Sequence, residues 1–193
     1  MKVNLLALFF LLFAFISAKA GPLVDTEDSP IRNGGSYYIL PALRGLGGGV
    51  SLAATGNETC PLTVVQTINE LSNGLPTRLS SPHRIAYLRT DFNLEFTVVA
   101  PPKCAAQPAK WTIVGGDDEI KQVKLAGYED TLRGSFRIQT YRGLTYRIVF
   151  CSTDEDSCSA LGISKDDKGH KIFVINDDDP FIVVFGKAES SAE

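Results

Sequence analysis

The sequence predicts an all-β fold. Short runs of β-branched, aromatic and leucine residues alternate with clusters of Gly, Pro, Asn and Asp. No stretch holds a helical period long enough to make an amphipathic helix. The connections between runs are short and numerous, which points to a sandwich or a barrel without choosing between them. The chain has 193 residues, 44% of them hydrophobic, which is enough for one domain with a sizeable core. No low-complexity linker divides it.

The runs follow in order. Ser36 to Leu40 comes after the turn signal Asn33-Gly34-Gly35. Leu62 to Ile68 and Arg84 to Leu88 are next. Leu94 to Val99 alternates, with Leu94, Phe96 and Val98 on one face, as a half-buried strand requires. Trp111 to Val114 and Gln122 to Leu125 follow. Phe136 to Thr140 and Thr145 to Phe150 are spaced as a hairpin across Tyr141-Arg142-Gly143-Leu144. Lys171 to Ile175 and Phe181 to Phe185 flank Asn176-Asp177-Asp178-Asp179-Pro180 and read as a second hairpin with an acidic tip. Gly45-Leu46-Gly47-Gly48-Gly49 reads as a flexible loop between strands.

The first twenty residues stand apart. Met1-Lys2 is a charged start, Leu5 to Ile16 is an apolar run of twelve, and Ala18-Lys19-Ala20 is a small-x-small cleavage pattern. This is expected to be a secretory signal, with Gly21 the mature N-terminus. A membrane span needs about 20 apolar residues, and neither this run nor any later one is that long. The expected mature chain is one domain, residues 21–193, outside the membrane and either extracellular or vacuolar. Losing residues 1–20 removes Lys2 and Lys19 and no acid, which moves the formal charge from −3 to −5. Such a balance lacks the basic footprint that nucleic acid requires.

Secretion sets the expectation for Cys60, Cys104, Cys151 and Cys158, because disulfides form in that compartment. Three pairings are possible. The stretch Ser152 to Ser157, polar and rich in Asp and Glu, suits a small surface loop closed by Cys151 and Cys158. That leaves Cys60 with Cys104. Zinc is the competing reading, but there is no Cys-x-x-Cys and no clustered His. Asn57-Glu58-Thr59 is a glycosylation sequon in a Gly-Asn turn context.

Catalytic, metal and cofactor patterns do not form. The two histidines are His83 and His170, and no Gly-x-Ser-x-Gly elbow exists. His83, between Pro82 and Arg84, reads as a solvated loop residue. The glycine run fails the dinucleotide pattern, since Val50 follows it and no helix opens there. Asp177-Asp178-Asp179 lacks the alternating ligand spacing of a calcium loop and reads as a solvated turn, as does Asp117-Asp118-Glu119. No enzyme activity, cofactor or metal is expected.

One segment looks built for a partner. Ser80-Ser81-Pro82-His83-Arg84-Ile85-Ala86 lies inside the span that a Cys60–Cys104 bond would close. Pro82 confines its own backbone and that of Ser81 to extended geometry. A trypsin-like protease binds an extended loop carrying one Arg in a primary pocket with a buried carboxylate, which Arg meets with charge-assisted hydrogen bonds.

The wider pattern resembles a known family. Val24 to Pro41, with Ser29-Pro30-Ile31-Arg32-Asn33-Gly34-Gly35-Ser36-Tyr37-Tyr38-Ile39-Leu40-Pro41 at its heart, is similar to the N-terminal signature of the plant Kunitz-type (soybean trypsin inhibitor) family. Gly56 to Gln66, Tyr146-Arg147-Ile148-Val149-Phe150-Cys151 and Leu161-Gly162-Ile163 match its later blocks. The resemblance covers residues 21 to about 187. It implies a β-trefoil of twelve strands in three pseudo-repeats, with first-to-second and third-to-fourth cysteine pairing. It implies a monomeric inhibitor of a trypsin-like serine protease whose reactive loop is Ser81, Pro82, His83, Arg84, Ile85 and Ala86, with Arg84–Ile85 the scissile bond. It places Asn33 under that loop, bonding its carbonyls. The family also contains non-inhibitory trefoils, so storage or binding of carbohydrate or a small molecule is the competing function.

Overall fold

Alternation of side chains decides which face of each strand turns inward, and here it builds a closed barrel under a three-hairpin cap. The computed structural model describes residues 21–115, 120–154 and 157–188. The expected signal segment and Asp117-Asp118-Glu119 lie outside the described residues. Twelve strands occur among the described residues: β1 Gly35–Pro41, β2 Val50–Ala53, β3 Thr63–Gln66, β4 Thr77–Ser80, β5 Glu95–Val98 and β6 Trp111–Val114. They continue as β7 Gln122–Leu125, β8 Gly134–Arg142, β9 Thr145–Ser152, β10 Cys158–Lys165, β11 Lys171–Ile175 and β12 Ile182–Lys187.

The barrel is β1, β4, β5, β8, β9 and β12. β1 lies between β4 and β12, β4 pairs with β5, and β9 pairs with β8 and β12. A bridge from Leu94 to Phe136 closes the gap between β5 and β8. Hairpins β2–β3, β6–β7 and β10–β11 form the cap, and β3, β7 and β11 pair with one another at its centre. Each consecutive set of four strands repeats one pattern, so the fold is a β-trefoil.

The core repeats with the chain. Each barrel strand contributes at least one fully buried residue, among them Ile39, Leu79, Phe96, Ile138, Ile148 and Phe185. They face one another in register as Ile39↔Phe185, Leu79↔Phe96 and Ile138↔Ile148. Burying each side chain contributes about 1.5–3 kcal/mol. The cap adds Val64, Ile113, Val123 and Phe173. Phe96 stacks on Trp111 at 4.9 Å and meets Phe136 edge-on at 5.6 Å.

Several expectations need correction. Arg84 to Leu88 is not a strand. Tyr87 makes only an isolated bridge to Arg32, while Ile85 turns inward against the core and Ala86 stays exposed. The runs at 171–175 and 181–185 are not a hairpin. β11 pairs with β10, β3 and β7, and β12 with β1 and β9. Between them the connector crosses β10, with Asn176 N donating to Ala160 O and Phe181 N to Leu161 O. The acidic tip is not wholly solvated either, since Asp177 Oδ1 accepts from Ala160 N at 2.7 Å. Gly47, Gly48 and Gly49 are not a loose loop. They are buried against residues 67–73, and a Cβ at Gly48 or Gly49 would collide with the carbonyls of Asn69 and Ser72 or of Asn73. Strands β2, β4 and β10 were not anticipated. The hairpin β8–β9 was, and Gly143 turns it with a φ of 55°. Leu94, Phe96 and Val98 share the buried face.

Cys60 is bonded to Cys104, and Cys151 to Cys158. The second pair sits directly in register between β9 and β10. Zinc therefore has no thiolate to bind.

Candidate functional site

The segment between β4 and β5 leaves the barrel, exposes three consecutive positions, Pro82 to Arg84, and returns. β4 delivers it after Ser80, and the chain bends at Pro82 and His83, where the proline ring fixes φ. Ile85 N donates to His83 O at 2.9 Å, a three-residue turn with Arg84 at its apex. Pro82, His83, Arg84 and Ala86 are exposed, and Ile85 is half-buried against the core. Arg84 is thus thrust outward while its neighbour anchors inward. Among the described residues no carboxylate pairs with Arg84.

A second piece of chain props this turn from beneath. Gly34, at a φ of 80°, turns the N-terminal segment so that Gly34 N donates to Leu79 O at 2.7 Å and Asn33 N to Ala86 O at 3.0 Å. Two adjacent amides therefore hold both ends of the loop. The Asn33 side chain fills the middle. Its Oδ1 accepts from Ser81 N at 2.8 Å, and its Nδ2 donates to Ile85 O at 3.1 Å, His83 O at 3.2 Å and Ser81 O at 3.4 Å. A backbone donor on one side and carbonyls on the other fix which way the amide faces.

The loop's far end is strapped between two N-terminal segments. Leu88 N donates to Ile31 O and Leu23 N to Leu88 O, and all three side chains are fully buried. Leu23 and Ile31, buried apolar residues in a largely polar N-terminal stretch, are the sequence signal for this strap. Phe92 is not singled out by the sequence. Its ring meets His83 edge-on at 5.6 Å. His83 is exposed as expected, but it has this neighbour.

The remaining singled-out residues lie elsewhere. Asn57 is exposed in the turn between β2 and β3. Beside it Glu58 is nearly buried, with Oε1 accepting from Lys124 Nζ at 2.6 Å and Tyr128 Oη at 2.5 Å, and Oε2 from Thr55 N at 2.9 Å. Burial would raise the Glu58 carboxyl, but the bonds from Lys124, Tyr128 and Thr55 outweigh it and hold it below its ordinary value. Burial and the Glu58 carboxylate push the Tyr128 phenol up. His170 Nδ1 contacts Asp166 Oδ2 at 2.7 Å in the turn after β10. Desolvation would raise the Asp166 carboxyl, but its bonds to His170 and Lys168 outweigh it and hold it below its ordinary value. The Cys60–Cys104 bond joins the β2–β3 turn region to the β5–β6 connection and does not touch the loop.

Residues 23–187 match the profile of a family described as trypsin and protease inhibitors of the legume Kunitz type. Trypsin inhibitor 1A of Psophocarpus tetragonolobus is 42% identical over 178 residues, covering 88% of this chain and 99% of its own. The solved complex of porcine pancreatic trypsin with soybean trypsin inhibitor matches with a TM-score of 0.80 and 36% identity, over 87% of this chain and 99% of that one. Winged bean albumin 1 also matches, with a TM-score of 0.75 and 27% identity, over 87% of this chain and 99% of that one.

Proposed function

The chain belongs to the Kunitz-type (soybean trypsin inhibitor) family, and from that premise we propose that it inhibits a trypsin-like serine protease by presenting Arg84–Ile85 as a substrate-like bond. One observation carries the reading: Arg84 stands exposed at the apex of a turn whose flanking carbonyls, of His83 and Ile85, both bond to Asn33. Arg84 enters the protease primary pocket and meets its carboxylate with paired, charge-assisted hydrogen bonds. Ser81, Pro82, His83, Ile85 and Ala86 line the cleft on either side of Arg84.

Slow hydrolysis follows from the same bonds. A loop already in its bound shape loses little entropy on docking. If the Arg84–Ile85 bond is cut, Ile85 is still held by its packed side chain and its carbonyl, and His83 by its own carbonyl. The new amine stays beside the acyl-enzyme, and religation competes with water. The expected interface totals about 1,600 Å². In this reading the mature protein is a secreted monomer starting at Gly21, extracellular or vacuolar, with Asn57 as glycan acceptor and no cofactor.

The test is titration of active-site-quantified trypsin with protein lacking residues 1–20, followed by sequencing of any nicked product. Stoichiometric inhibition and a new N-terminus at Ile85 are expected. Arg84→Ala is expected to weaken binding by about 2–8 kcal/mol, as hot-spot residues do. Wild-type-like inhibition by Arg84→Ala would overturn the site. No inhibition, with rapid cleavage at scattered positions, would leave a non-inhibitory trefoil that stores or binds a small ligand.

A further inference from the structure

Asn33 secures the backbone of the loop, but the His83 side chain next to Arg84 has a holder of its own. Its ring lies edge-on to Phe92, centroids 5.6 Å apart and planes at 66°. Phe92 is half-buried at the tip of a short turn before β5, a costly place for a large apolar ring. The turn that carries it is tied down on both sides. Asp91 adopts the left-handed region at a φ of 61°. A residue other than Gly stays there only when its surroundings hold it.

Those surroundings are visible. Asp91 N donates to Ile138 O at 2.9 Å, and its Oδ1 accepts from Gln139 Nε2 at 3.0 Å. Asn93 Oδ1 accepts from Ser135 Oγ and Arg137 Nε, each at 3.0 Å. The residues flanking Phe92 are thus both fastened to β8. One step earlier, Thr90 N donates to Gly21 O, and Gly21 N donates to Thr90 Oγ1, both at 2.9 Å. The ring is therefore presented from the barrel wall and the N-terminal segment, independently of Asn33.

We propose that Phe92 is a positioning residue for the reactive loop, fixing the His83 ring and through it the approach of Arg84 to the protease. The inference rests on the proposed inhibitory function and extends it to the residue that precedes the scissile pair. Two grips on one residue are better than one for a specific reason. A rotation of the chain at His83 that releases its carbonyl from Asn33 must also pull its ring from Phe92. An unheld ring would have to be ordered on docking, and that ordering weakens binding. The pair also forms an aromatic shoulder beside Arg84, so it favours proteases whose surface next to the primary pocket accepts a ring.

A double-mutant cycle tests this. His83→Ala and Phe92→Ala are each expected to weaken trypsin inhibition about three- to tenfold, the range for one aromatic pair. The double variant should be no weaker than either single one, and Phe92→Tyr should restore inhibition. A purely structural role for Phe92 predicts additive losses instead, and additivity would overturn the proposal. A second readout needs no protease. His83 and His170 are the two histidines of the chain, so the His83 ring protons are assignable by NMR with His83→Ala. Phe92→Leu should remove their ring-current shift, and unmoved resonances would also overturn it. Arg84→Ala measured alongside separates the two readings. Inhibition that depends on Arg84 with a null cycle removes Phe92 alone, whereas no inhibition by wild type removes the proposed function and this inference together.

Discussion

An amide nitrogen carries two protons, and Asn33 Nδ2 faces three carbonyl oxygens, at 3.1, 3.2 and 3.4 Å. The two nearer ones, of Ile85 and His83, take the protons, and they bracket Arg84. Each bond contributes about 1 kcal/mol net, so losing both should cost roughly tenfold or more in loop order. Asn33→Ala is therefore expected to be hydrolysed at Arg84–Ile85 about tenfold faster under excess trypsin, followed by mass spectrometry of the intact chain. Asn33→Asp should fare worse, since its carboxylate repels the carbonyls and donates nothing. An unchanged lifetime for both variants would remove Asn33 from the mechanism. On local grounds Arg84, one Arg after Pro82, reads as no more than a solvated charge, and the resemblance to the Kunitz-type family is what singles it out. Asn33 read locally as a turn residue before two glycines. Its partners lie 48 to 52 residues away, a separation that no local pattern carries.

At the scale of elements, legibility followed burial pattern. β5 and the β8–β9 hairpin show clean alternation or a glycine turn at hairpin spacing. β2, β4 and β10 read VSLA, TRLS and CSALGISK, and their small or polar residues give no period to see. They are strands because neighbouring strands supply their hydrogen bonds. The β2–β3 turn shows the same dependence on distant residues, for Glu58 binds Thr55 and Thr63 locally but Lys124 and Tyr128 across 66 and 70 positions. Both charges are nearly buried, with side chains 11% and 14% exposed for Glu58 and Lys124. Removing one charge strands the other, so Glu58→Gln should cost about 3 kcal/mol at neutral pH. The sign of the pH dependence follows. Glu58 titrates lower in the folded chain than unfolded, so its contribution is present above the ordinary carboxylate range and fades as pH falls through its lowered folded value. Urea midpoints of wild type and Glu58→Gln should converge in acid. A gap that is constant with pH would show that Glu58 acts through shape and not charge.

For the whole molecule, the question is whether the scaffold and the loop fail together. The barrel closes by pairing β1 with β12, the two ends of the chain, so most of its order is non-local. Cys60–Cys104 ties residues 44 apart, and Cys151–Cys158 only 7. In the chain-entropy account the longer loop stabilises by about 4 kcal/mol and the shorter by about 2.5 kcal/mol. Removing Cys60 and Cys104 together, as Ala, should lower the Tm by roughly 8–16 °C for a domain of this size. The local brace does not pass through that bond. Asn33, the amides of residues 33 and 34, and the packing of Ile85 would all remain. Inhibition at 25 °C should then stay within a few-fold of wild type, while resistance to heat and to prolonged protease exposure falls. Asn33→Ala should do the reverse, with a Tm near wild type and a loop that is cut. A disulfide variant that folds at 25 °C but no longer inhibits would contradict this separation. Binding would then depend on stiffness of the entire trefoil, because the reactive loop would have lost function with every one of its own contacts intact.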